Sequence, residues 1–417
     1  MCDLDLIGGR TYVHTKVSNS ATTEEGARPF AGLTTVPAIH NSFEGALVKT
    51  KAAVVYEPGK PIEVVELDLD GPKDGEVLIR YTHAGLCHSD VHIMDGDLTV
   101  RLPMVLGHEG AGIIEEVGPG VTRVKVGDHV VCSFIPNCGV CRWCATGQQA
   151  ICDMGATILE GYLPGPRFPI TGPRGQYGTN CILGTLSQWG TIHQSSVVKI
   201  DEDIPLDKAA LVGCGVPTGW GSAVNAASVR PGETVIVVGV GGIGINAVQG
   251  ARFAGAKNLI AVDPLENKRE KAMQLGATHA VASTLEAMSL AQMMTNGNGA
   301  DKTIVTAGLV TEEIITDSFN ATGKGGTTVI TGMNKLDLDN IKLPGSILTL
   351  FKKTLKGSLF GDCNPTTDIP RILGLYQSGD LKLDEIITNT YTLDQVNDGY
   401  EDMLNGRNIR GVVVHEH

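Results

Sequence analysis

A thiol and an imidazole with the chemistry of zinc ligands lie in residues 85–112, at Cys87 and His108. Thiolates and imidazoles are donors that zinc commonly takes from proteins. Side chains that accept or pass protons stand beside them: His88, Ser89, Asp90, His92 and Glu109. This stretch predicts a metal site that binds an oxygen-bearing substrate and carries its proton away. The alternative is a buried cysteine beside surface histidines in a β-rich domain.

Four cysteines farther along the chain have the spacing of a closed zinc site. Two C-x2-C steps are followed by a fourth cysteine eight residues later: Cys138, Cys141, Cys144 and Cys152. Four thiolates complete a tetrahedral shell and leave no position for a substrate, so zinc here would be structural. Zinc is favoured over disulfides, because cysteines this close would strain the disulfide geometry. An iron–sulfur cluster is a further alternative, since four thiolates also suit it.

Cys214 lies among glycines where a helical pattern begins, in the run LVGCGVPTGWGSAV. It is a candidate third zinc ligand, brought to Cys87 and His108 from far along the chain. The alternative is a small buried residue at the start of a helix.

A glycine motif with a following acid predicts a dinucleotide site. Gly239, Gly241 and Gly244 follow the apolar run TVIVV and precede a helical pattern. Such glycines permit a tight turn and the close approach of a pyrophosphate, which a helix N-terminus favours. Asp263 comes nineteen residues after Gly244, where a carboxylate binds ribose hydroxyls and repels a 2′-phosphate, so NAD is favoured over NADP. The alternative is a glycine-rich turn without a ligand.

The elements around these motifs predict an α/β fold. Residues 49–135 consist of short valine- and isoleucine-rich runs between Gly, Pro and Asp, which is typical of strands and turns. Beyond residue 216, strands alternate with helices as in a doubly wound parallel sheet. Residues 153–185 are rich in Gly and Pro and predict a long loop. The last strand carries Arg407 and Arg410, either as solvated charges or as a clamp on cofactor phosphates.

Composition narrows the class of protein. The net charge of −13 opposes nucleic acid as a partner. No apolar run reaches the length of about 18 residues that suggests a membrane span. The acidic first residues and the missing apolar segment after them argue against a signal peptide and predict a reducing cytoplasm.

Over about 48–417 the chain resembles the zinc-dependent medium-chain alcohol dehydrogenases. The run Gly107-His108-Glu109-x-x-Gly112, with Gly118 and Val121 downstream, is similar to the zinc signature of that family. Within the family, the runs VGCGVPTGWGSAVNAA and SFIPNCGVCRWCATG resemble the enzymes assayed with N,N-dimethyl-4-nitrosoaniline. That subgroup is similar to nicotinoproteins, whose NAD stays bound and is recycled in place.

The resemblance implies a domain plan. It gives a poorly ordered N-terminal extension, a GroES-like β-rich catalytic domain with a structural zinc lobe, a Rossmann NAD-binding domain, and a C-terminal return to the catalytic domain. The corresponding ranges are 1–47, 48–215, 216–359 and 360–417.

It also implies roles for individual residues and two zinc ions per chain. Cys87, His108 and Cys214 would bind a catalytic zinc, and the four clustered cysteines a structural one. Around the catalytic zinc, Glu109 can approach the metal, Asp90 orients the histidine ligand, and Ser89 and His92 relay the proton. The residues expected at the cofactor are His88, Arg410, Gly239, Gly241 and Gly244 at the pyrophosphate, Thr218 at the nicotinamide, and Asp263 with Lys268 at the adenosine ribose. Phe134 and Leu98 are expected in the substrate pocket.

The implied activity is hydride transfer from an alcohol to NAD, with a small alcohol or aldehyde as the partner molecule, by a cytoplasmic homo-oligomer, dimer or tetramer. The proton would leave through Ser89, the cofactor ribose and His92. One alternative is the related S-(hydroxymethyl)glutathione dehydrogenase, but Ala156 and Leu98 replace the arginine and the acid usual there. A non-catalytic protein that binds zinc and NAD is the alternative from another class.

Overall fold

A computed structural model describes residues 47–336, 338–339 and 341–417. The predicted extension over 1–47 therefore lies, apart from residue 47, outside the described residues. Within the described ranges, no helix has both the length and the apolar character needed to cross a membrane.

The N-terminal half is mostly strands. Its strands and helices, in chain order, are β1 (Val48–Val55), β2 (Glu63–Leu69), β3 (Glu76–Gly85), α1 (His88–Met94), β4 (Met104–Val105), β5 (Gly110–Val117), β6 (His129–Cys132), α2 (Arg142–Ala145), β7 (Ile170–Gly172), β8 (Gly175–Thr179), β9 (Trp189–His193), β10 (Val197–Lys199), α3 (Leu206–Leu211) and α4 (Gly215–Gly221).

These strands form a closed barrel, β1-β2-β7-β8-β4, and most of a second sheet. The second sheet has the order β10-β6-β5-β3, with β9 also on β3, and continues from β3 into two strands of the C-terminal half, β18 (Arg410–Val414) and then β17 (Ile387–Tyr391). The prediction of a plain loop over 153–185 is wrong, because β7 and β8 form a hairpin that closes the barrel. Ile170 pairs with Tyr177 across that hairpin, and both side chains are buried in the barrel core. Two short strands with a tight turn carry too little periodic signal to stand out among glycines and prolines.

The C-terminal half alternates strands and helices. The elements are β11 (Thr234–Val238), α5 (Gly244–Phe253), β12 (Asn258–Val262), α6 (Glu266–Gln274), β13 (His279–Val281), α7 (Thr284–Met294), β14 (Ala300–Val305), α8 (Glu312–Ala321), β15 (Thr322–Ile330), α9 (Gly345–Leu350), β16 (Thr354–Gly357), α10 (Pro365–Gln377), β17 (Ile387–Tyr391), α11 (Val396–Leu404) and β18 (Arg410–Val414).

Six of these strands form a parallel sheet in the order β13-β12-β11-β14-β15-β16. The whole of β11, the run TVIVV, is buried, as expected of a strand covered by helices on both faces. The predicted doubly wound α/β architecture is confirmed. From β11 the strand order runs one way through β12 and β13 and the other way through β14, β15 and β16, so the switch point lies between β11 and β14. Ligands of such sheets bind at this switch point.

The C-terminal strand returns to the first half of the molecule. In β18, Val412 pairs with Gly85 at the end of β3. Arg407 precedes this strand and forms an exposed ion pair with Asp402 at 2.9 Å, which favours its interpretation as a surface charge. Strand β18 thus brings Arg410 close to the residues that follow β3.

Candidate active site

One cluster of ligand atoms gathers residues that are far apart in the sequence. Cys87 follows β3, His108 and Glu109 follow β4, and Cys214 precedes α4. One ligand atom from each of these four buried residues lies within 4.8 Å of those of the other three. Strands β3 and β5 are paired through Ala84 and Gly110, and this pairing holds the Cys87 and His108 segments side by side.

The His108 ring is oriented as a metal ligand would be. Its Nδ1 lies 3.3 Å from Asp90 Oδ1. Its Nε2 is buried and has no hydrogen-bond partner among the residues that the structure describes. A buried polar atom without a partner is costly unless a ligand uses its lone pair. A carboxylate on the other ring nitrogen is usual for zinc-bound histidine, so two thiols and this imidazole fit zinc.

The two thiols of the cluster share a proton. A hydrogen bond from Cys214 lowers the pKa of Cys87 well below its usual value, against the effect of burial, and His108 acts in the same direction. The same hydrogen bond, together with burial, raises the pKa of Cys214 well above its usual value. Zinc binds thiolates, so a bound cation would displace the proton that lies between these two sulfurs.

Glu109 connects the cluster to the C-terminal strand. It is fully buried, forms an ion pair with Arg410, and accepts a hydrogen bond from the backbone N–H of Gly215 at 3.2 Å. Burial raises the pKa of Glu109 to about 7, although Arg410 acts to lower it. A Cβ atom on Gly242 would lie only 2.6 Å from Cδ of Arg410. Arg410 is therefore packed between Glu109 and the glycine loop.

The four-cysteine cluster is local. The sulfur atoms of Cys138, Cys141, Cys144 and Cys152 lie within 4.8 Å of one another. Backbone N–H groups point at these sulfurs: Cys141 N lies 3.2 Å from Cys138 Sγ, and Cys144 N lies 3.4 Å from Cys141 Sγ. The hydrogen bond from the Cys144 N–H is the main cause that lowers the pKa of Cys141 to about 6. Burial instead raises the pKa of Cys152 to about 12. All four are free thiols, so the disulfide alternative has no support in the structure, and the donor set fits zinc.

The residues expected to relay the proton lie on α1. Ser89 Oγ is 3.7 Å from Cys87 Sγ, beside the ligand cluster. His92 is buried, and its ring nitrogens lie 3.2 Å from the carbonyl oxygen of Gly308 and 3.2 Å from Asp97 Oδ2. The His92 ring thus contacts the loop that follows β14. Its role as the end of a proton relay stays a prediction.

His88 and Lys268 border the same cleft. A Cβ atom on Gly308 would lie 3.1 Å from His88 Nε2, so the ring faces the carboxyl end of the parallel sheet. Burial lowers the pKa of His88, and the charges of His92 and Lys268 act in the same direction. The His88 side chain therefore lies near the switch point, where the cofactor phosphates are expected. Lys268 lies on α6, after β12, and its contact with the adenosine ribose stays a prediction.

The three motif glycines meet different surroundings. Gly239 has φ +86°, and a Cβ there would lie 2.7 Å from Ala307 Cα. A Cβ on Gly244 would overlap the carbonyl oxygen of Gly239. At Gly241, a Cβ would meet no atom of the described residues within 4 Å. The fold itself requires glycine at the first and third positions, whereas the second leaves space that a pyrophosphate would need.

Asp263 and Thr218, both expected at the cofactor, form hydrogen bonds with the backbone. The Asp263 carboxylate accepts hydrogen bonds at 3.0 Å from the N–H groups of Val240 and Leu265, which fixes it beside the glycine loop. The Thr218 hydroxyl donates to the carbonyl oxygen of Cys214 at 2.7 Å within α4. Their contacts with ribose and nicotinamide stay predictions.

Aromatic side chains border the ligand cluster. The Phe134 ring is nearly perpendicular to the rings of His108 and Phe360, with centroids 5.9 and 5.3 Å away. Leu98 is buried in an apolar cluster with Val91 and Ile93 of α1, so its place in the substrate pocket stays a prediction.

Two residues of this region carry no sequence motif. Phe360 is buried at φ +55°, followed by Gly361 and Asp362 at +64° and +54°. Asn180 is buried and donates to Asp90 Oδ1 at 2.7 Å. Only Gly361 hints at the unusual turn, and nothing near Asn180 in the sequence marks it.

Comparisons with known proteins match both halves of the chain. The family described as alcohol dehydrogenase GroES-like domain matches residues 73–202. The family described as zinc-binding dehydrogenase matches residues 242–378.

The chain aligns with individual relatives over nearly their full length. The chain is 59% identical to the NDMA-dependent alcohol dehydrogenase of Amycolatopsis methanolica, over 88% of this chain and 99% of that protein. It is 36% identical to the S-(hydroxymethyl)glutathione dehydrogenase of Paracoccus denitrificans, over 88% of this chain and 100% of that protein. Among solved structures, benzyl alcohol dehydrogenase from Acinetobacter calcoaceticus superposes with a TM-score of 0.83 at 30% identity, covering 89% of this chain and 100% of that one.

Proposed function

The chain belongs to the zinc-binding, medium-chain alcohol dehydrogenases, and we propose that it oxidises small alcohols with an NAD molecule that stays bound between turnovers. It is an oxidoreductase of a family that depends on zinc and NAD. The observation that carries the proposal of retained NAD is the 59% identity to an NDMA-dependent alcohol dehydrogenase. The glutathione-linked alternative is less supported, since identity to that class of enzyme is 36%.

We assign two zinc ions to each chain. One would be held by Cys87, His108 and Cys214, and the second by the four clustered cysteines. The partnerless Nε2 of His108 and the shared proton of the thiols support the first assignment. When bound in such a site, zinc supplies Lewis acidity toward the substrate oxygen.

The chain's own side chains would orient the substrate and move its proton. Ser89, next to Cys87, would accept the alcohol proton as it gives up its own hydroxyl proton, and His92 would receive a proton at the end of the relay. The aromatic rings of Phe134 and Phe360 would hold the alcohol's apolar part and exclude water. Glu109, already paired with Arg410, can offer a carboxylate to the cluster without adding an unpaired buried charge.

Three contacts across the cofactor cleft support retention, and we call them the clasp. They are His92 Nε2 to the Gly308 carbonyl at 3.2 Å, Lys335 Nζ to Asp97 Oδ1 at 3.3 Å, and Asn267 Nδ2 to the Gly406 carbonyl at 3.2 Å. Each joins the first half of the molecule or its C-terminal return to the parallel-sheet half. Opening the cleft would break all three. Each 1.4 kcal/mol gained by a closed cleft lowers the dissociation constant about tenfold.

We further assign residues 48–215 and 360–417 to a catalytic domain and 216–359 to a cofactor domain, supported by the pairing of β18 with β3. A homo-oligomer is supported by β16, which ends the parallel sheet, and by exposed apolar side chains near it, including Leu350 and Leu359. Unpaired sheet edges and apolar patches favour association with another chain. A cytoplasmic location suits the free thiols.

The test is to purify the protein without added cofactor, denature it, and measure NAD(H) in the supernatant. We expect near-stoichiometric cofactor, with alcohol oxidation only when N,N-dimethyl-4-nitrosoaniline is present as acceptor. An empty protein that steadily reduces free NAD would contradict retention. Asn267→Ala, which removes one contact of the clasp, should release cofactor faster than the parent protein.

A further inference from the structure

One carboxylate oxygen beside the metal cluster accepts from three donors. Asp90 Oδ1 lies 3.1 Å from the backbone N of Gly107, 3.3 Å from Nδ1 of His108 and 2.7 Å from Nδ2 of Asn180. The contact from Asn180 is the shortest of the three. Asp90 Oδ2 is buried and forms no hydrogen bond of standard geometry within the described ranges. Burial raises the pKa of the nearby Tyr400 phenol, and the charge of Asp90 acts in the same direction. The hydrogen bonds that orient this carboxylate are therefore those at Oδ1.

Strand pairing places Asn180 at this position. Thr179, the last residue of β8, pairs in parallel with Val105 of β4. The residues that follow the two strands, Asn180 and the Gly107–His108 segment, consequently lie side by side. Asn180 is only 5% exposed, so water does not compete for its amide.

The turn after Asn180 is conformationally unfavourable. Cys181 and Ile182 have φ +52° and +56°, in the left-handed region that residues other than glycine rarely adopt. Such conformations persist only where the surroundings enforce them, and they are frequent at functional sites. The backbone carbonyl of Asn180 accepts from the N–H groups of Leu183 and Gly184 at 3.0 and 3.2 Å. These backbone contacts close the turn without the Asn180 side chain, which is free for another task.

We propose that Asn180 is a positioning residue that fixes the Asp90 carboxylate and, through it, the His108 ring with Nε2 directed at the catalytic zinc. This inference rests on the proposed role of His108 as a ligand. Without the Asn180 amide, Asp90 loses its shortest hydrogen bond, and its carboxylate group can rotate. The His108 ring then loses a fixed acceptor at Nδ1. Groups that orient a metal ligand in this way typically change metal affinity about 10- to 100-fold when removed.

The experiment measures zinc loss from the purified holoenzyme after addition of excess chelator. Asn180→Ala should accelerate the loss of one zinc about 10- to 100-fold and leave the release of the other unchanged. Asn180→Leu has nearly the same volume but lacks the N–H donor and adds no charge, so it should accelerate loss similarly while filling the same space. It also serves if the alanine variant fails to fold.

Ser187→Ala is the matched control. Ser187 is buried in the same segment, and its hydroxyl donates to the carbonyl oxygens of Gly184 and Trp189 at 2.7 and 2.9 Å. Its removal should reduce stability without changing the release of either zinc. A cobalt-substituted catalytic site adds a spectroscopic readout, since a shifted His108 ring should change the visible bands in Asn180→Leu and not in Ser187→Ala.

The outcomes separate this inference from the proposed function. If Cys214→Ser binds as much zinc as the parent protein, the ligand assignment fails and the inference fails with it. If Cys214→Ser lacks one zinc but Asn180→Ala and Asn180→Leu release zinc at the parent rate, only the role of Asn180 is overturned. Faster loss from both sites would mark a general loss of stability and would also overturn it.

Discussion

The two cysteine clusters of this chain are built in opposite ways. The cluster at Cys87, His108 and Cys214 collects residues from three distant segments and is fully buried. The four-cysteine cluster comes from a single segment, residues 138–152, and Cys138 and Cys141 are only half-buried. The first is surrounded by acids, an arginine and aromatic rings. The second is surrounded mainly by its own backbone N–H groups.

The difference separates residues that the fold needs from residues that a ligand needs. A local cluster with a closed donor set can only stabilise the chain around it. A cluster assembled by the whole fold, with a donor set that leaves a position open, can be altered without unfolding the protein. Substitutions that destabilise the fold without removing a ligand, or that remove a ligand without destabilising the fold, test this distinction.

The largest effects are expected from removing one ligand in each cluster. Cys141→Ser should leave little soluble, folded protein, because structural zinc contributes about 10–16 kcal/mol of apparent binding energy in small zinc domains. Cys214→Ser should fold and bind NAD but lose turnover by more than the roughly 10- to 100-fold typical of residues that only orient a ligand. Thermal unfolding, zinc content and turnover of both variants provide the measurements. Near-normal turnover in Cys214→Ser would remove Cys214 from the ligand set.

A smaller effect is expected from removing the side chains of the proton relay, which lie beside the cluster of Cys87, His108 and Cys214. Ser89→Ala removes the hydroxyl next to Cys87 and should lower turnover by about 10²- to 10⁴-fold, the range of general acid–base contributions. His92→Gln should cost less, since water can replace the last step. Neither should change zinc content. Equal turnover in Ser89→Ala and the parent protein would exclude the hydroxyl from proton transfer.

The smallest effect is expected in the glycine loop. Here too, one glycine is needed by the ligand and a neighbouring glycine is needed by the fold. Gly241→Ala should fold normally, because a Cβ there meets open space, yet weaken NAD binding by about tenfold, or 1.4 kcal/mol. Gly244→Ala should destabilise the fold, since its Cβ would overlap the Gly239 carbonyl. Cofactor content and unfolding temperature separate the two. Unchanged cofactor content in Gly241→Ala would show that the pyrophosphate does not approach this residue.

The same contrast explains what the sequence could reveal. The four-cysteine cluster and the β11–α5 glycine loop are local, so spacing alone predicted their chemistry. Cys214 is distant from the other ligands, so the residues alone left it as either a third ligand or a small buried residue, and the resemblance to a family decided between the two. Patterns within one segment do not encode which segments meet.

Residues without a motif escaped prediction for the same reason. Asn180 reaches Asp90 only because β8 pairs with β4, and Phe360 reaches Phe134 only through a turn of left-handed residues. The β7–β8 hairpin was missed because two short strands amid glycines show almost no periodicity. In each case the decisive information is a long-range pairing.

The pairing of β18 with β3 has a consequence for biosynthesis. Arg410, the partner of Glu109, lies far downstream of the four cysteines in the sequence. Chains grow from the N-terminus at about 5–20 residues per second. A nascent chain can therefore take up metal at the four cysteines before the strand that carries Arg410 is made. The buried ion pair beside Cys87 can form only after β18 has been synthesised, so the surroundings of the catalytic cluster are completed later than the four-cysteine cluster.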